Sequence, residues 1–346
     1  VSGQATPAPA GTPPAPATAT TSTASAHPDR IPAGWRVIAG KELGDHITSV
    51  RAILILLILG LAGAGILVSV SGTIRTVATQ ATGSHGVFLV LFTLNPSTSI
   101  TSAQLPSLVA LVGFIGPLLG IALGFDAING ERAEGTLSRL VAQPIHRDDV
   151  INGKFLAGLA VIAIILGVVT LMVAAIGIWR LSIVPSLDDV LRIATWYVLA
   201  IAYVGFWLAL AMLCSVLFRR AATAALVVLA IWLVVTFFGS MIVDVVTGYL
   251  ASPDQLAWYT WHQDLSRLIP QTLYSEIARA VMDPSVRTLD IVQDAMLNVD
   301  RRAIPTLLPY AQSVLVVWSQ IAALVAATIV AFAVAYVAFM RQEVRA

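Results

Sequence analysis

The sequence predicts an all-α polytopic membrane protein. Its parts are six transmembrane helices, an interfacial helix ahead of the first, a charged cytoplasmic segment between spans two and three, and a long extracytoplasmic region between spans five and six. Three observations predict this. Of 346 residues, 58% are hydrophobic and only 11% are charged, where a soluble domain carries about 25% charged residues. Several apolar runs reach the roughly 20 residues that cross a hydrocarbon core of about 30 Å. With both termini on the cytoplasmic side, twelve of the 20 Lys and Arg residues fall in inner segments. Most of the others lie in the long outer region, where the charge bias loses force. The net charge of +1 gives no case for nucleic acid. The single cysteine, Cys214, excludes an internal disulfide or a cysteine-based metal site.

Residues 1–33 are a tract of Ala, Thr, Pro and Ser without apolar periodicity, expected as a disordered cytoplasmic tail. The tract has no basic start and no apolar core, so it does not read as a signal peptide. The remainder, 34–346, reads as one membrane domain. Over 34–50, Trp35, Val37, Ile38 and Leu43 alternate with Arg36, Lys41, Glu42, Asp45 and His46, which fits a helix lying in the membrane interface. Gly34, Gly40 and Lys41 superficially resemble a phosphate-binding loop. The glycines are one residue too far apart, and Glu42 stands where Ser or Thr is needed, so no ATP site is expected on this chain.

Span one is placed at 52–70. The apolar patch at 86–92 is too short to cross and reads as a re-entrant or interfacial piece. Span two, 107–125, carries Gly113, Gly116, Gly120 and Gly124, a small-residue stripe suited to close helix packing, for which intrachain packing is favoured. Gly130–Lys154 follows, the most charged short stretch of the chain. Leu137, Leu140 and Val141 share one helical face before Pro144 interrupts it, and Asp148 and Asp149 stand where a new helix would begin. Such a segment cannot rest in lipid and reads as an interfacial docking element. Spans three to six are placed at 155–178, 193–218, 221–243 and 311–340. Between the last two, 247–309 is too polar for lipid and is expected outside, with amphipathic helices at Leu273–Met282 and Val286–Leu297.

The spaced set Glu131, Gly135-Thr136-Leu137, Leu140, Pro144, Arg147 and Lys154 resembles the cytoplasmic coupling loop of the ABC type-2 export permeases. The resemblance is strongest over Gly34–Ile178 and generic beyond. It implies a half-transporter in the bacterial cytoplasmic membrane that pairs with a second permease copy as a homodimer. Two separate ATP-binding subunits would dock beneath it and carry the ATP and Mg, leaving no cofactor on this chain. It assigns the coupling role to Glu131, Glu134, Gly135, Thr136, Leu137, Arg139, Pro144, Arg147 and Lys154. The implied activity is export of a hydrophobic or amphipathic substrate. The long outer region departs from minimal members and suggests an alternative, an accessory permease serving an extracytoplasmic partner in a maturation or assembly system.

Enzymatic chemistry has little support. The histidines, His27, His46, His85, His146 and His262, fall in separate polar segments, with no pair at metal-ligand spacing. Asp188 and Asp189 are adjacent and would point apart on a helix, which argues against a paired-carboxylate transferase. The spans hold almost no ionisable residues, against a carrier driven by protons or sodium.

Overall fold

The computed structural model describes residues 2–3, 34–80, 87–93, 106–133, 146–181, 184–251, 255–290 and 307–342. Among these every regular element is helical. The helices are α1 (Gly34–Ile47), α2 (Val50–Gln80), α3 (Val87–Thr93), α4 (Leu108–Gly124), α5 (Asn129–Ala133), α6 (Arg147–Leu181) and α7 (Leu187–Leu217). Then come α8 (Ala221–Leu233), α9 (Gly239–Ala251), α10 (Gln255–Ser266), α11 (Pro270–Met282), α12 (Tyr310–Val316) and α13 (Trp318–Arg341). Five of the described helical segments are long and apolar enough to cross a membrane. A sixth arises if α1 and Val50–Gly65, bent by 60° at their junction, count as one span. The tail 1–33 lies largely outside the described residues.

Local sequence sets several boundaries. The Ser107 hydroxyl accepts the Ala110 N–H and starts α4. At Ser186 a full capping box with Asp189 starts α7. Asp148 and Asp149 occupy the first turn of α6, where the helix dipole favours negative charge. Pro270 opens α11 just after the extended Ile269. Between α8 and α9, Val234–Phe238 form a π-helical turn, so the two make one long element. The last span breaks at Val317, whose φ of −112° and ψ of 12° separate α12 from α13.

The bundle is built around α7, which packs on α4, α6, α8, α11 and α13. The glycine stripe of α4 faces this helix and α11 of the same chain. A Cβ on Gly113 would lie 3.0 Å from the Tyr274 ring, one on Gly116 2.8 Å from Val204, and one on Gly124 2.8 Å from Ala211. At Gly120 a Cβ would come within 2.5 Å of the Val204 carbonyl oxygen and 2.9 Å of the Leu208 nitrogen. Both obstacles are backbone, so no rotamer change relieves them. Gly120→Ala is expected to cost about 1–3 kcal/mol, read as a lower melting temperature of the purified protein in detergent. Gly60→Ala, with nothing near its added carbon, should melt as the wild type.

Four features depart from the sequence expectation. Helix α6 begins at Arg147, so residues 147–154 of the expected 130–154 loop form the first turns of span three. Span five does not stop at 243 but runs helically to Ala251. Residues 286–290, expected to open a helix, are not helical, and 291–297 lie outside the described residues. The largest correction concerns the region 247–309. Its described part does not stand clear of the spans: α10 runs back along α9, with His262 3.0 Å from Asp244. Ile269, at the turn, would touch a Cβ on Gly239. That places the turn roughly 18 Å below the end of α9, at 1.5 Å per residue. Helix α11 then rises again, burying Leu273, Tyr274, Ile277, Ala278 and Val281 against α4, α7 and α13. The pair is a helix-turn-helix that doubles back along the spans, α10 on α9 and α11 on α4, α7 and α13. Helix α3, the apolar patch expected to be re-entrant or interfacial, buries Phe88, Leu89, Leu91 and Phe92 against α2, α4, α6 and α7.

Candidate functional site

One cluster of charged groups lies at the end of the bundle where spans two and three meet α1, here called the basic end. Helix α1 lies directly on α6. A Cβ on Gly153 would fall 2.9 Å from both the Ile38 side chain and the Trp35 carbonyl oxygen, so only glycine allows this approach. One residue on, the Lys154 ammonium lies 2.7 Å from Glu42 of α1 and 2.8 Å from Glu131 of α5. The lysine side chain is 4% exposed and each glutamate 13%. An ion pair this buried is tolerable only when its charges answer one another, as one cation between two carboxylates does here. His46 lies 3.9 Å from Glu42 on the same helix. Burial pushes its imidazole below the ordinary histidine value, against the pull of the Glu42 carboxylate.

A second set of bonds ties the same region to the far spans. The Ser215 hydroxyl of α7 accepts the backbone N–H groups of Ile128 and Asn129, at 3.0 and 3.1 Å, and so anchors α5. Arg132 donates to the Gln342 side chain and, at 3.4 Å, to the Val216 carbonyl. Arg147 donates to the Gln342 carbonyl at 2.9 Å, with its guanidinium over the Phe339 ring at 5.6 Å. It thereby caps the C-terminal end of α13, where carbonyls lack helical partners. Arg51 pairs with Asp126 at 2.5 Å, joining the start of α2 to the residue just past α4.

Of the residues expected to contact an ATPase, the structure brings Glu131, Arg147 and Lys154 to this end. It turns all three toward partners within the chain. Lys154 in particular is buried between two carboxylates of its own chain. Glu134, Gly135, Thr136, Leu137, Arg139 and Pro144 lie outside the described residues. Sequence reasoning missed Glu42, Gly153, Arg132, Ser215 and Gln342. A signal existed for the first: Lys154 borders an apolar run and needs an acidic partner, and Glu42 is one of few acids near the interface.

Residues 134–145 are flanked by α5 and the first turns of α6, and both flanks are fixed by buried polar bonds to α1, α7 and α13.

At the opposite, distal end, the adjacent carboxylates serve structure. Asp189 accepts from Ser186 to cap α7, while Asp188 pairs with Arg192 at 2.5 Å. Arg192 is fully buried and also donates to the carbonyls of Val281 and Leu308 and to the Ser313 hydroxyl. Among the described residues, no group of three or more His, Cys, Asp or Glu could hold a metal ion.

Comparison with known proteins adds a family. Residues 36–344 match the family described as ABC-2 family transporter protein. A protein named "Probable ABC transporter permease protein NosY" from Pseudomonas aeruginosa is 32% identical over 161 residues, 46% of this chain and 49% of that protein. Its namesake from Stutzerimonas stutzeri is 32% identical over 118 residues, 34% of this chain and 36% of that protein. The "Probable multidrug ABC transporter permease YbhR" of Escherichia coli K12 is 24% identical over 202 residues, 58% of this chain and 49% of that protein. The chain thus spans about half the length, or less, of the curated relatives it matches.

Proposed function

The chain belongs to the ABC-2 family of transporter proteins, and from that premise we propose that it is the membrane subunit of an ATP-driven exporter whose ATPase docks at the basic end. It is a multi-pass membrane protein of the permease class. In this reading the basic end is cytoplasmic, as the distribution of Lys and Arg favours. Two ATPase subunits bind a pair of permease copies, and residues 134–145 enter a groove on each ATPase. Closure of the nucleotide dimer moves that segment. The observation carrying the proposal is the Lys154–Glu42–Glu131 cluster, because it joins α1, α5 and α6 on both sides of the docking segment. The substrate is hydrophobic or amphipathic, in keeping with spans that offer few charged groups.

The alternative, an accessory permease serving an extracytoplasmic partner, drew on a large outer region. With α10 and α11 folded against the spans, a smaller part of 247–309 is left to meet such a partner.

The test is co-purification of the full chain in nanodiscs with the ATPase encoded beside it, comparing wild type with a Glu134→Lys, Arg139→Glu double variant. The proposal expects a stable complex whose ATP turnover drops at least about tenfold in the variant, the loss of roughly one charge-assisted contact. Equal turnover and equal complex yield for the two proteins would overturn it.

A further inference from the structure

A cavity of about 450 Å³ lies at the distal end between the first turns of α4 and the length of α11. No role assigned above uses it. One wall is apolar: Val109, Ala110 and Gly113 of α4 face Ala278 of α11. Most polar groups along it are already engaged. The Tyr274 hydroxyl donates to the Val109 carbonyl and accepts from the Trp196 indole, each at 3.0 Å. Ser275 donates to Thr272, and Asp283 accepts from the backbone and hydroxyl of Ser285. Two side chains are different. Arg279 and Gln271 line the cavity and have no partner among the described residues.

Arg279 is an exposed, unengaged guanidinium beside a concave apolar wall. Its planar fork matches the oxygens of a phosphate or carboxylate. Arg279 stands in the last turn of α11, toward the distal surface. Gly113 and Tyr274 lie about a turn and a half deeper along the same helices. A molecule with its acid at Arg279 would therefore lay its apolar part down the wall of α4, the orientation that an amphipath takes in the adjoining leaflet. Gln271, at the deep end, adds a neutral amide, and the carboxylate on the lining, Asp283, is bonded to Ser285.

We propose that this cavity is a binding site for an amphipathic anion, its acidic group held by Arg279 and its apolar body by the α4 wall. A phospholipid headgroup and a single-chain phosphate ester share this chemistry. The site is read without nucleotide or ATPase, so its test stands apart from the coupling proposal.

The full chain, purified in a neutral detergent, is titrated under native mass spectrometry with dodecyl phosphate, inorganic phosphate, dioleoylphosphatidylglycerol and dioleoylphosphatidylcholine. Arg279→Gln removes the charge at an exposed position. Ala110→Phe fills the cavity from an exposed position on α4 and should leave the core intact, which an unchanged melting temperature checks. The proposal expects dodecyl phosphate or phosphatidylglycerol to bind about tenfold more weakly to each variant than to wild type. Loss confined to phosphatidylglycerol identifies a two-chain lipid as the ligand, and loss confined to dodecyl phosphate a single-chain one. Binding that is unchanged by Arg279→Gln would overturn the site. So would inorganic phosphate binding as well as dodecyl phosphate, or phosphatidylcholine as well as phosphatidylglycerol.

Discussion

Lys154→Met is expected to lower the stability of the protein by about 3–5 kcal/mol, because it strands Glu42 and Glu131 as buried carboxylates without their cation. The loss of the lysine's own bonds is the smaller part. Two negative charges left facing each other away from water repel, and each has forfeited its hydration. A triple variant, Lys154→Met with Glu42→Gln and Glu131→Gln, should therefore recover most of the loss, since neutral groups of similar size can replace a buried ionic cluster at little cost. The measurement is thermal or denaturant unfolding in detergent. A single variant as stable as wild type, or a triple variant no better than the single one, would show that the three charges do not act as a unit. The triple variant also separates stability from transmission. If it is stable yet fails to couple ATP turnover to transport, the ionic character of the cluster matters beyond holding the helices together.

Arg192→Met is expected to cost a similar amount, about 3–5 kcal/mol, at the other end of the molecule. Arg192 holds Asp188, the Val281 and Leu308 carbonyls and the Ser313 hydroxyl. Its loss takes a donor from the Val281 and Leu308 carbonyls and the Ser313 hydroxyl, while Asp188, 40% exposed, keeps access to water. The damage should be local. Hydrogen exchange is expected to quicken across α11 and α12, while the α1–α6 junction around Lys154 keeps its protection. Arg192→Lys should rescue little, because an ammonium cannot span the same fork of acceptors. Uniform loss of protection across the bundle would instead make Arg192 part of the global core.

The spans were legible because a helix facing lipid must be apolar over its whole crossing length, and that signal is local. The helical hairpin was half legible. The periodicity of Leu273–Met282 showed an amphipathic helix, but a pattern says which face is apolar and not what covers it. Because only one face of α11 packs on α4, α7 and α13, polar residues could be retained on the other, and its composition resembled that of an exposed loop. Asp244 looked like the end of span five for a related reason, since its partner His262 belongs to the returning helix. The glycine stripe declared itself by spacing, whereas its counterpart on α7 is ordinary Val204, Leu208 and Ala211. Lys154 was read as part of the coupling loop, and Arg192 entered only the count of basic residues by side. Their partners lie as far away as Glu42 and Leu308, and no local window holds both ends of such a bond. Ser313 and Gln320, polar residues of the last span, hold Arg192 and Glu276.

The hairpin also bears on how the chain is made. Helices α4 and α7, against which α11 packs, leave the ribosome before it, but Leu308, Ser313 and α13 come later. Glu276 receives one of its bonds from Gln320 of α13, and Arg192 has half of its acceptors beyond residue 300. At roughly 5–20 residues per second of synthesis, the hairpin's Glu276 and Arg192 of α7 wait some seconds incompletely answered. The hairpin must spend that interval in a watery or guarded place and enter the bundle only when the final span has been delivered. Membrane insertion of this protein is therefore expected to end with a late folding step, one that closes a segment translated well before.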